Sequence, residues 1–299
     1  MPPTGEQFEI VSGDTRAVVT EVGAGLRSLT RAGRHYVETY DEDARPPRGA
    51  GAVLVPWPNR TAHGRWTWNG GPQQLPLTEA EAGNAIHGLL RHVLYTAGER
   101  SADAVTLHAV VPVQPGWPVP LDTSVRFAVS DEDGLTVTHT VRNVGTHAVP
   151  FGVGAHPYLR VGDVPTDDCT LTLAATSSLP LELGLPTGPA VPVAGELDLR
   201  GGRELAGMEL DHAFGGAVPT DGDTLVRHRL EADGAGVELW ADPEFGWVQV
   251  FTPDDHPGRG RAVAVEPMTC PPDALNSGTG LLTVGPGEEW SGRWGLRPF

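Results

Sequence analysis

Apolar and polar residues alternate most regularly near the middle of the chain. Over residues 135–143, Leu135, Val137 and Val141 alternate with threonine and arginine, and the run 123–129 is rich in similar residues. The acidic segment 131–134, ending in Gly134, separates the two runs. A period of two residues on both sides of a turn, with many β-branched side chains, is typical of a hairpin. The pattern therefore predicts two antiparallel strands here.

Similar short runs recur from one end of the chain to the other. They predict further strands over residues 16–20, 106–113, 169–174, 224–231, 236–241, 247–252, 261–265, 281–284 and 289–296. Helical signals are poor by comparison. The best candidate covers residues 78–82, which is short and is soon broken by Gly83.

Glycine and proline are abundant and evenly spread. They account for 39 and 28 of the 299 residues, well above average usage. Such spacing favours many turns between short strands, and the Pro- and Gly-rich region 180–203 is interpreted as an extended excursion between strands. No repeat and no linker stand out, so we expect one domain over residues 1–299. The predicted class is all-β, a large antiparallel β-sandwich.

The formal net charge of −17 limits the classes of partner. An acidic surface repels nucleic acid and anionic membranes, but it says little about a neutral sugar. No run of 18 apolar residues and no pattern of a signal peptide is present. We therefore expect a cytoplasmic protein that binds neither nucleic acid nor membrane.

Several familiar cofactor and catalytic motifs are absent from the sequence. It has no GxSxG, no GxxxxGK[ST] and no HExxH, and its histidines do not show zinc-site spacing. The two cysteines, Cys169 and Cys270, lie far apart without a CxxC pair. They are expected to be reduced, partly buried thiols.

Four segments place polar side chains within otherwise structural sequence. Arg60 follows a proline-stiffened apolar run, His87 precedes a glycine, and His156 and Tyr158 flank a proline after a glycine-rich stretch. Glu266 comes at the end of an apolar run, where a carboxylate is costly unless it is paired or belongs to a site. From the residues alone, a surface arginine and a solvated glutamate are favoured over functional roles, and a satisfied structural histidine is as well supported as a functional one.

Taken together and in order, these segments resemble the aldose 1-epimerase (galactose mutarotase) family. Asn59-Arg60 matches the Asn-Arg element of the family, residues 84–88 its first histidine motif and residues 156–158 its second. Residues 210–214 look like its Asp-containing segment, and residues 248–252 like its Gln-containing strand. Glu266-Pro267, with residues 272–276 downstream, is similar to its Glu motif. The resemblance covers nearly the whole chain.

The resemblance implies a fold and a set of roles. The fold would be the galactose mutarotase-like supersandwich, and the substrate a monosaccharide, bound without a metal or an organic cofactor by a monomer or homodimer. Glu266 would be the base that takes the proton of the anomeric hydroxyl, and His156 the acid that protonates the ring oxygen. The side chains that would hold the sugar hydroxyls are those of Asn59, Arg60, His87, Tyr158, Asp211 and Gln249.

The implied chemistry also sets a requirement on His156. An unperturbed histidine is mostly neutral at neutral pH, so we expect nearby carboxylates, Glu266 and Asp211, to favour its charged form. One departure from the family pattern, Trp57-Pro58 before the Asn-Arg element, predicts an altered pocket wall.

Two alternatives to a free-sugar mutarotase remain open. A hexose-6-phosphate epimerase on the same fold would need a basic cluster, for which Arg91, His92 and Arg100 are the only hint. A sugar-binding module without catalysis would not need both His156 and Glu266.

Overall fold

The computed structural model describes residues 2–220 and 222–299, and β-strands dominate it. The first third of the chain forms nine strands, most of them short. They are β1 (Gln7–Ser12), β2 (Thr15–Thr20), β3 (Leu26–Arg31), β4 (Arg34–His35), β5 (Val53–Leu54), β6 (Arg60–Thr61), β7 (Arg65–Trp68), β8 (Gly71–Gln74) and β9 (Ala85–Ile86).

The middle third contains the longest hairpin. Its strands are β10 (Thr96–Arg100), β11 (Ala104–Val111), β12 (Leu121–Ser130), β13 (Gly134–Asn143), β14 (Val149–Phe151), β15 (Gly154–Ala155), β16 (Tyr158–Leu159), β17 (Thr170–Thr172) and β18 (Ser177–Leu179). The predicted hairpin is confirmed as β12 and β13, paired from Leu121 with Asn143 to Ser130 with Gly134. Alternate residues of β12 are buried, including Val125 and Phe127, because one face of the hairpin covers the core.

The last third completes the sheets. Its strands are β19 (Leu181–Glu182), β20 (Leu185–Pro186), β21 (Val191–Pro192), β22 (Arg203–Glu204), β23 (Asp211–Gly215), β24 (Val226–Ala232), β25 (Ala235–Ala241), β26 (Trp247–Phe251), β27 (Val263–Met268), β28 (Leu282–Val284) and β29 (Glu289–Pro298).

In the part of the chain that the structure describes, helix is confined to short segments. One α-helical turn, α1, covers Ala274–Ser277, and single 3-10 turns cover Pro47–Gly49, Ala62–Gly64, Thr166–Asp168 and Gly195–Leu197. Residues 78–82, the best helical candidate in a sequence with poor helical signals, do not form a helix. That segment is a turn, closed by hydrogen bonds between the backbones of Glu79 and Asn84. Among the described residues, no helix has the length and apolar character needed to cross a membrane.

Two large antiparallel sheets form the body of the molecule, as expected for the sandwich. One has nine strands in the order β10-β11-β12-β13-β29-β25-β24-β17-β22. The other runs β21-β18-β23-β26-β27-β15-β5, with β16 also paired to β27. A separate four-stranded sheet contains β1-β2-β3-β4, and β6-β9, β7-β8, β14-β28 and β19-β20 form small pairs. The Pro- and Gly-rich segment 180–203 therefore contributes β21, which forms one edge of the second large sheet.

The core joins both large sheets in one apolar cluster. Leu239 of β25 and Val250 of β26, one from each sheet, are both inaccessible to solvent within it. Trp57 belongs to this cluster and packs against Trp117, with 5.9 Å between ring centroids. The expectation that Trp57 alters a pocket wall is therefore wrong, because its side chain faces the core. Cys169 and Cys270 are buried free thiols, as predicted.

Candidate active site

Three adjacent strands of the second sheet bring together carboxylate and amide groups that are distant in sequence. Gln249 of β26 lies directly opposite Glu266 of β27, and Asp211 of β23 lies opposite Phe251. Side chains opposite one another on antiparallel strands share a face of the sheet. Gln249 Nε2 accordingly donates a hydrogen bond to Asp211 Oδ1 at 2.6 Å.

Glu266 lies within its strand rather than at the end. The sequence suggested a strand ending at the glutamate, but β27 continues to Met268. Glu266 is 2% exposed, and its Oε2 has no hydrogen-bond partner among the described residues. A buried, incompletely paired carboxylate is costly, which is the signature expected of a group retained for chemistry.

His156 follows β15 and is fixed through its backbone. Its N–H donates to Ala52 O at 3.1 Å, and its carbonyl accepts from Gly51 N at 2.8 Å. The ring then lies beside the carboxylate, with His156 Nε2 3.4 Å from Glu266 Oε1. The two proposed proton-transfer groups are therefore immediate neighbours rather than on opposite sides of a ligand.

Asn59 and His87 hold each other in place by reciprocal hydrogen bonds. His87 N–H donates to Asn59 O at 2.9 Å, and Asn59 N–H donates to His87 Nδ1 at 3.2 Å. Because Nδ1 of a neutral imidazole accepts here, Nε2 carries the ring proton. Gly88, with φ of +71°, allows this turn to pass directly over the carbonyl of Val55, where a side chain would collide.

Arg60 is held by a carboxylate that the sequence did not identify. Its Nε and Nη2 donate to the two oxygens of Glu79 at 2.9 and 2.8 Å. Such a bidentate pair fixes the plane of the guanidinium group. Glu79 carries no local signal, because it lies in a turn 19 residues from its partner.

These side chains surround a cavity of about 290 Å³. Seven of the eight predicted site residues line it. The lining residues are Arg48, Asn59, Arg60, Thr78, Glu79, Ile86, His87, Arg91, His156, Asp211, Gln249, Phe251 and Glu266. Arg91, which was not predicted as a site residue, is the arginine noted in the sequence as a hint of a phosphate site. The cavity adjoins a wider groove, which shares Arg60 and Phe251 with it.

Tyr158 is the exception among the predicted residues. It does not line the cavity, is 1% exposed and stacks on His156 with 5.2 Å between ring centroids. Its other neighbour is His256, whose ring centroid lies 4.9 Å away. The phenol therefore packs against the ring of His156, and its buried hydroxyl has no hydrogen-bond partner among the described residues.

Burial dominates the electrostatics of the pair. It lowers the pKa of His156 to about 4 and also lowers the pKa of His87 well below its usual value. Burial, followed by the nearby charge of Asp211, raises the pKa of Glu266, which Arg60 opposes. The expectation that carboxylates keep His156 charged is therefore wrong in direction. Both members of the pair are shifted towards their neutral forms.

The same side chains provide a possible set of metal ligands. Donor atoms of His87, His156 and Glu266 lie within 4.8 Å of one another. A histidine bound to a metal normally donates its other ring N–H to an acceptor. His87 Nδ1 instead accepts a hydrogen bond from Asn59 N–H, so Nε2 carries the ring proton. The arrangement therefore suits hydrogen bonding to a ligand oxygen better than coordination.

The comparison with protein families agrees with this geometry. The family model described as "Aldose 1-epimerase" matches residues 6–297. The chain belongs to the aldose 1-epimerase family. Membership of this family implies a carbohydrate epimerase, and the buried histidine and glutamate at the cavity lie in the two motifs that resemble those of the family.

Individual relatives support the family and the fold. The chain is 35% identical over 288 residues to the uncharacterized protein YihR of Escherichia coli K12, covering 95% of this chain and 91% of that one. It is 32% identical over 164 residues to galactose mutarotase of Rattus norvegicus, covering 52% and 46%. A galactose mutarotase-like protein of Clostridium acetobutylicum has the same fold, with a TM-score of 0.86 at 20% identity, covering 97% and 94% of the two chains.

Proposed function

We propose that this protein is an aldose 1-epimerase that interconverts the α and β anomers of a hexopyranose, with free glucose and galactose as the first sugars to test. The observation that carries the proposal is the contact of 3.4 Å between His156 Nε2 and Glu266 Oε1, two buried side chains that line the cavity. The two oxygens of a cyclic hemiacetal are attached to the same carbon. Neighbouring acid and base groups can therefore reach both of them at once.

In the proposed reaction, Glu266 removes the proton from the anomeric hydroxyl while His156 protonates the ring oxygen. The bond between the anomeric carbon and the ring oxygen breaks, and the electrons of the deprotonated hydroxyl form a carbonyl group. After rotation of that carbonyl, the ring closes on its other face, with each proton returning along the opposite path. No covalent intermediate with the protein is required.

The remaining lining residues orient the sugar in this proposal. Gln249 and Asp211 are already hydrogen-bonded to each other and offer further donor and acceptor positions to hydroxyls. Arg60 is fixed by Glu79, and His87 Nε2–H is a donor. Holding the sugar in one pose is itself a large part of catalysis, because it aligns the reacting atoms before proton transfer.

Polarimetry on freshly dissolved α-D-glucose and α-D-galactose tests the proposal. The wild-type protein should accelerate the change in rotation, and Glu266→Gln should slow it by about 100- to 10,000-fold, the usual contribution of one proton-transfer group. Glu132→Gln, in the exposed turn between β12 and β13, is the matched control and should retain the wild-type rate. Sugar binding by the wild-type protein without any acceleration would instead identify a non-catalytic binding module.

A further inference from the structure

The ring of His156 is oriented by packing rather than by a hydrogen bond on its second nitrogen. Its Nε2 lies 3.4 Å from Glu266 Oε1, whereas its Nδ1 is buried without a hydrogen-bond partner among the described residues. In a histidine that transfers protons, the second ring nitrogen usually makes a hydrogen bond that sets the direction of the ring. Here the side chains packed around the imidazole set that direction instead.

Two aromatic rings pack against the imidazole of His156. The phenol ring of Tyr158 is stacked on it, with 5.2 Å between centroids and 29° between planes. The ring of His87 meets it edge-on, at 5.4 Å and 74°. Aromatic pairs prefer such arrangements, with centroids about 4.5–7 Å apart. His87 is anchored by the hydrogen bond from Asn59 N–H, whereas the buried hydroxyl of Tyr158 has no such partner in the described part of the chain.

The loop between β26 and β27 supplies the residue that packs on Tyr158. This loop joins the strand of Gln249 to the strand of Glu266, and backbone hydrogen bonds run in both directions between His256 and Gly260 within it. His256 is 2% exposed, and its ring centroid lies 4.9 Å from that of Tyr158. Neither ring nitrogen of His256 has a hydrogen-bond partner within residues 2–220 and 222–299. Its contact with Tyr158 is therefore made by the ring itself.

His256 lies outside the cavity that would hold the sugar. Among the described residues, neither those that line the cavity nor those that line the wider groove include His256 or Tyr158. His156 does line the cavity. The three rings thus form a series that reaches the cavity only at its last member. Any effect of His256 on a bound sugar has to pass through Tyr158 and His156.

We infer that Tyr158 and His256 are positioning residues, whose packed rings hold the imidazole of His156 with its Nε2 directed at Glu266. This inference rests on the proposed epimerase function, because it concerns the placement of the proposed acid. Tyr158 acts through the face of its ring, so the hydroxyl that the family resemblance assigns to the sugar is dispensable. Misplacing a reacting group by about 1 Å can slow a reaction by about 100-fold, so this packing matters for the rate.

Anomer exchange of glucose and galactose in two pairs of variants tests the inference. Tyr158→Leu and His256→Ala each remove a ring. We expect either change to lower kcat by about 10- to 100-fold and to change KM by less than about threefold, because the groups proposed to bind the hydroxyls are untouched. Tyr158→Phe and His256→Phe keep a ring without the original polar atoms, and each should recover most of the lost kcat.

A second buried histidine provides the matched control. His228 is 1% exposed on β24, in the other large sheet. His228→Ala therefore makes the same deletion in the core, away from the cavity. After correction for the folded fraction, measured by circular dichroism, it should leave kcat unchanged. A fall in kcat equal to that of His256→Ala would show a general effect of core deletions and would overturn the positioning role.

The remaining outcomes separate ring packing from other roles. An unchanged kcat in Tyr158→Leu or His256→Ala overturns the inference. So does a loss in Tyr158→Phe as large as that in Tyr158→Leu, because the hydroxyl would then be the working group. Equal losses in His256→Ala and His256→Phe would assign the effect to the ring nitrogens and would also overturn it. A rise in KM at unchanged kcat would contradict positioning of the acid.

A measurement without sugar keeps the inference separate from the epimerase function. If the wild-type protein accelerates no sugar, the epimerase proposal fails. Proton–carbon correlation NMR of the histidine rings then decides the packing. The ring signals of His156 should move in His256→Ala and return towards their wild-type positions in His256→Phe. Signals of His156 that stay in place in His256→Ala would refute the inference.

Discussion

His139 should make the protein sensitive to acid, and replacing it with glutamine should reduce that sensitivity. The ring lies in the core on β13, 1% exposed, and its Nε2 accepts a hydrogen bond from the indole N–H of Trp294 at 2.9 Å. Protonation would add a second N–H directly opposite that donor, with no acceptor nearby. Glutamine in place of His139 still offers an oxygen to Trp294 and cannot be protonated in this range.

The magnitude follows from the pKa of the ring in the folded and unfolded states. Burial lowers the pKa of His139 from 6.5 to about 3. The folded state binds the proton less readily than the unfolded state. The contribution of the neutral ring to the free energy of unfolding is therefore fully present above pH 6.5. It is lost progressively as the pH falls towards 3. Between pH 7 and pH 5 this single group should lower the free energy of unfolding by about 2 kcal/mol, given about 1.4 kcal/mol per pH unit.

Urea unfolding followed by tryptophan fluorescence at pH 7 and pH 5 measures this difference. His139→Gln should be less stable than wild type at pH 7, since it loses the ring contact with Phe245. Its free energy of unfolding should nevertheless fall by about 2 kcal/mol less on going to pH 5. The control is His108→Gln, exposed on β11, which should change with pH as the wild type does.

The test of His139 is the change in the free energy of unfolding between pH 7 and pH 5, compared between variant and wild type, and not the absolute stability of either protein. His228, whose pKa burial lowers to about 4, contributes its own loss to all three proteins, so the wild type and both variants share that background. The reasoning about His139 is refuted if His139→Gln loses as much stability between pH 7 and pH 5 as the wild type does, with an unchanged dependence on urea.

Three further predictions concern catalysis and the core. The pH dependence of kcat/KM should be bell-shaped, because the active pair of His156 and Glu266 holds one proton. Activity should fall when the pair gains a second proton in acid or loses its remaining proton in alkali. A flat profile across both the acid and the alkaline range would contradict this. Gly184→Ala should impair catalysis through a higher KM. Gly184 has φ of +76°, and a side chain added there would collide with the guanidinium group of Arg60. An unchanged KM would show that this contact is dispensable. Trp117→Ala should lower the free energy of unfolding by about 3–5 kcal/mol, the usual cost of deleting a buried tryptophan side chain, and urea unfolding would measure it.

The strands were predictable because their signal is local. In β13 the residues Leu135, Val137 and Val141 face the core, and the intervening threonines face outwards. This arrangement repeats the period of two visible in the sequence. Residues 78–82 offered only a weak helical signal, and the segment is a turn. It is closed by backbone hydrogen bonds between Glu79 and Asn84 and by the contact of Glu79 with Arg60. Such distant contacts leave no periodic trace.

The site shows the same division between local and distant information. The ordered motifs indicated Asn59, His87 and Gln249, and all three line one cavity. The motif around His156 also indicated Tyr158, but a motif cannot show which of its side chains faces the ligand and which packs behind it. The ion pairs that hold Arg48 and Arg60 are equally hidden, because their partners lie on other loops.

The neutral shift of the catalytic pair bears directly on the proposed reaction. Ring opening starts with Glu266 ionised and His156 protonated, and it leaves the glutamate protonated and the histidine neutral. Burial favours this second arrangement, because it lowers the pKa of His156 and raises that of Glu266. The protonation state that accompanies the open-chain sugar is thus the one that the cavity stabilises. The same shifts make the ionised pair costly to form, so burial favours ring opening from that pair and opposes the ring closure that regenerates its charges.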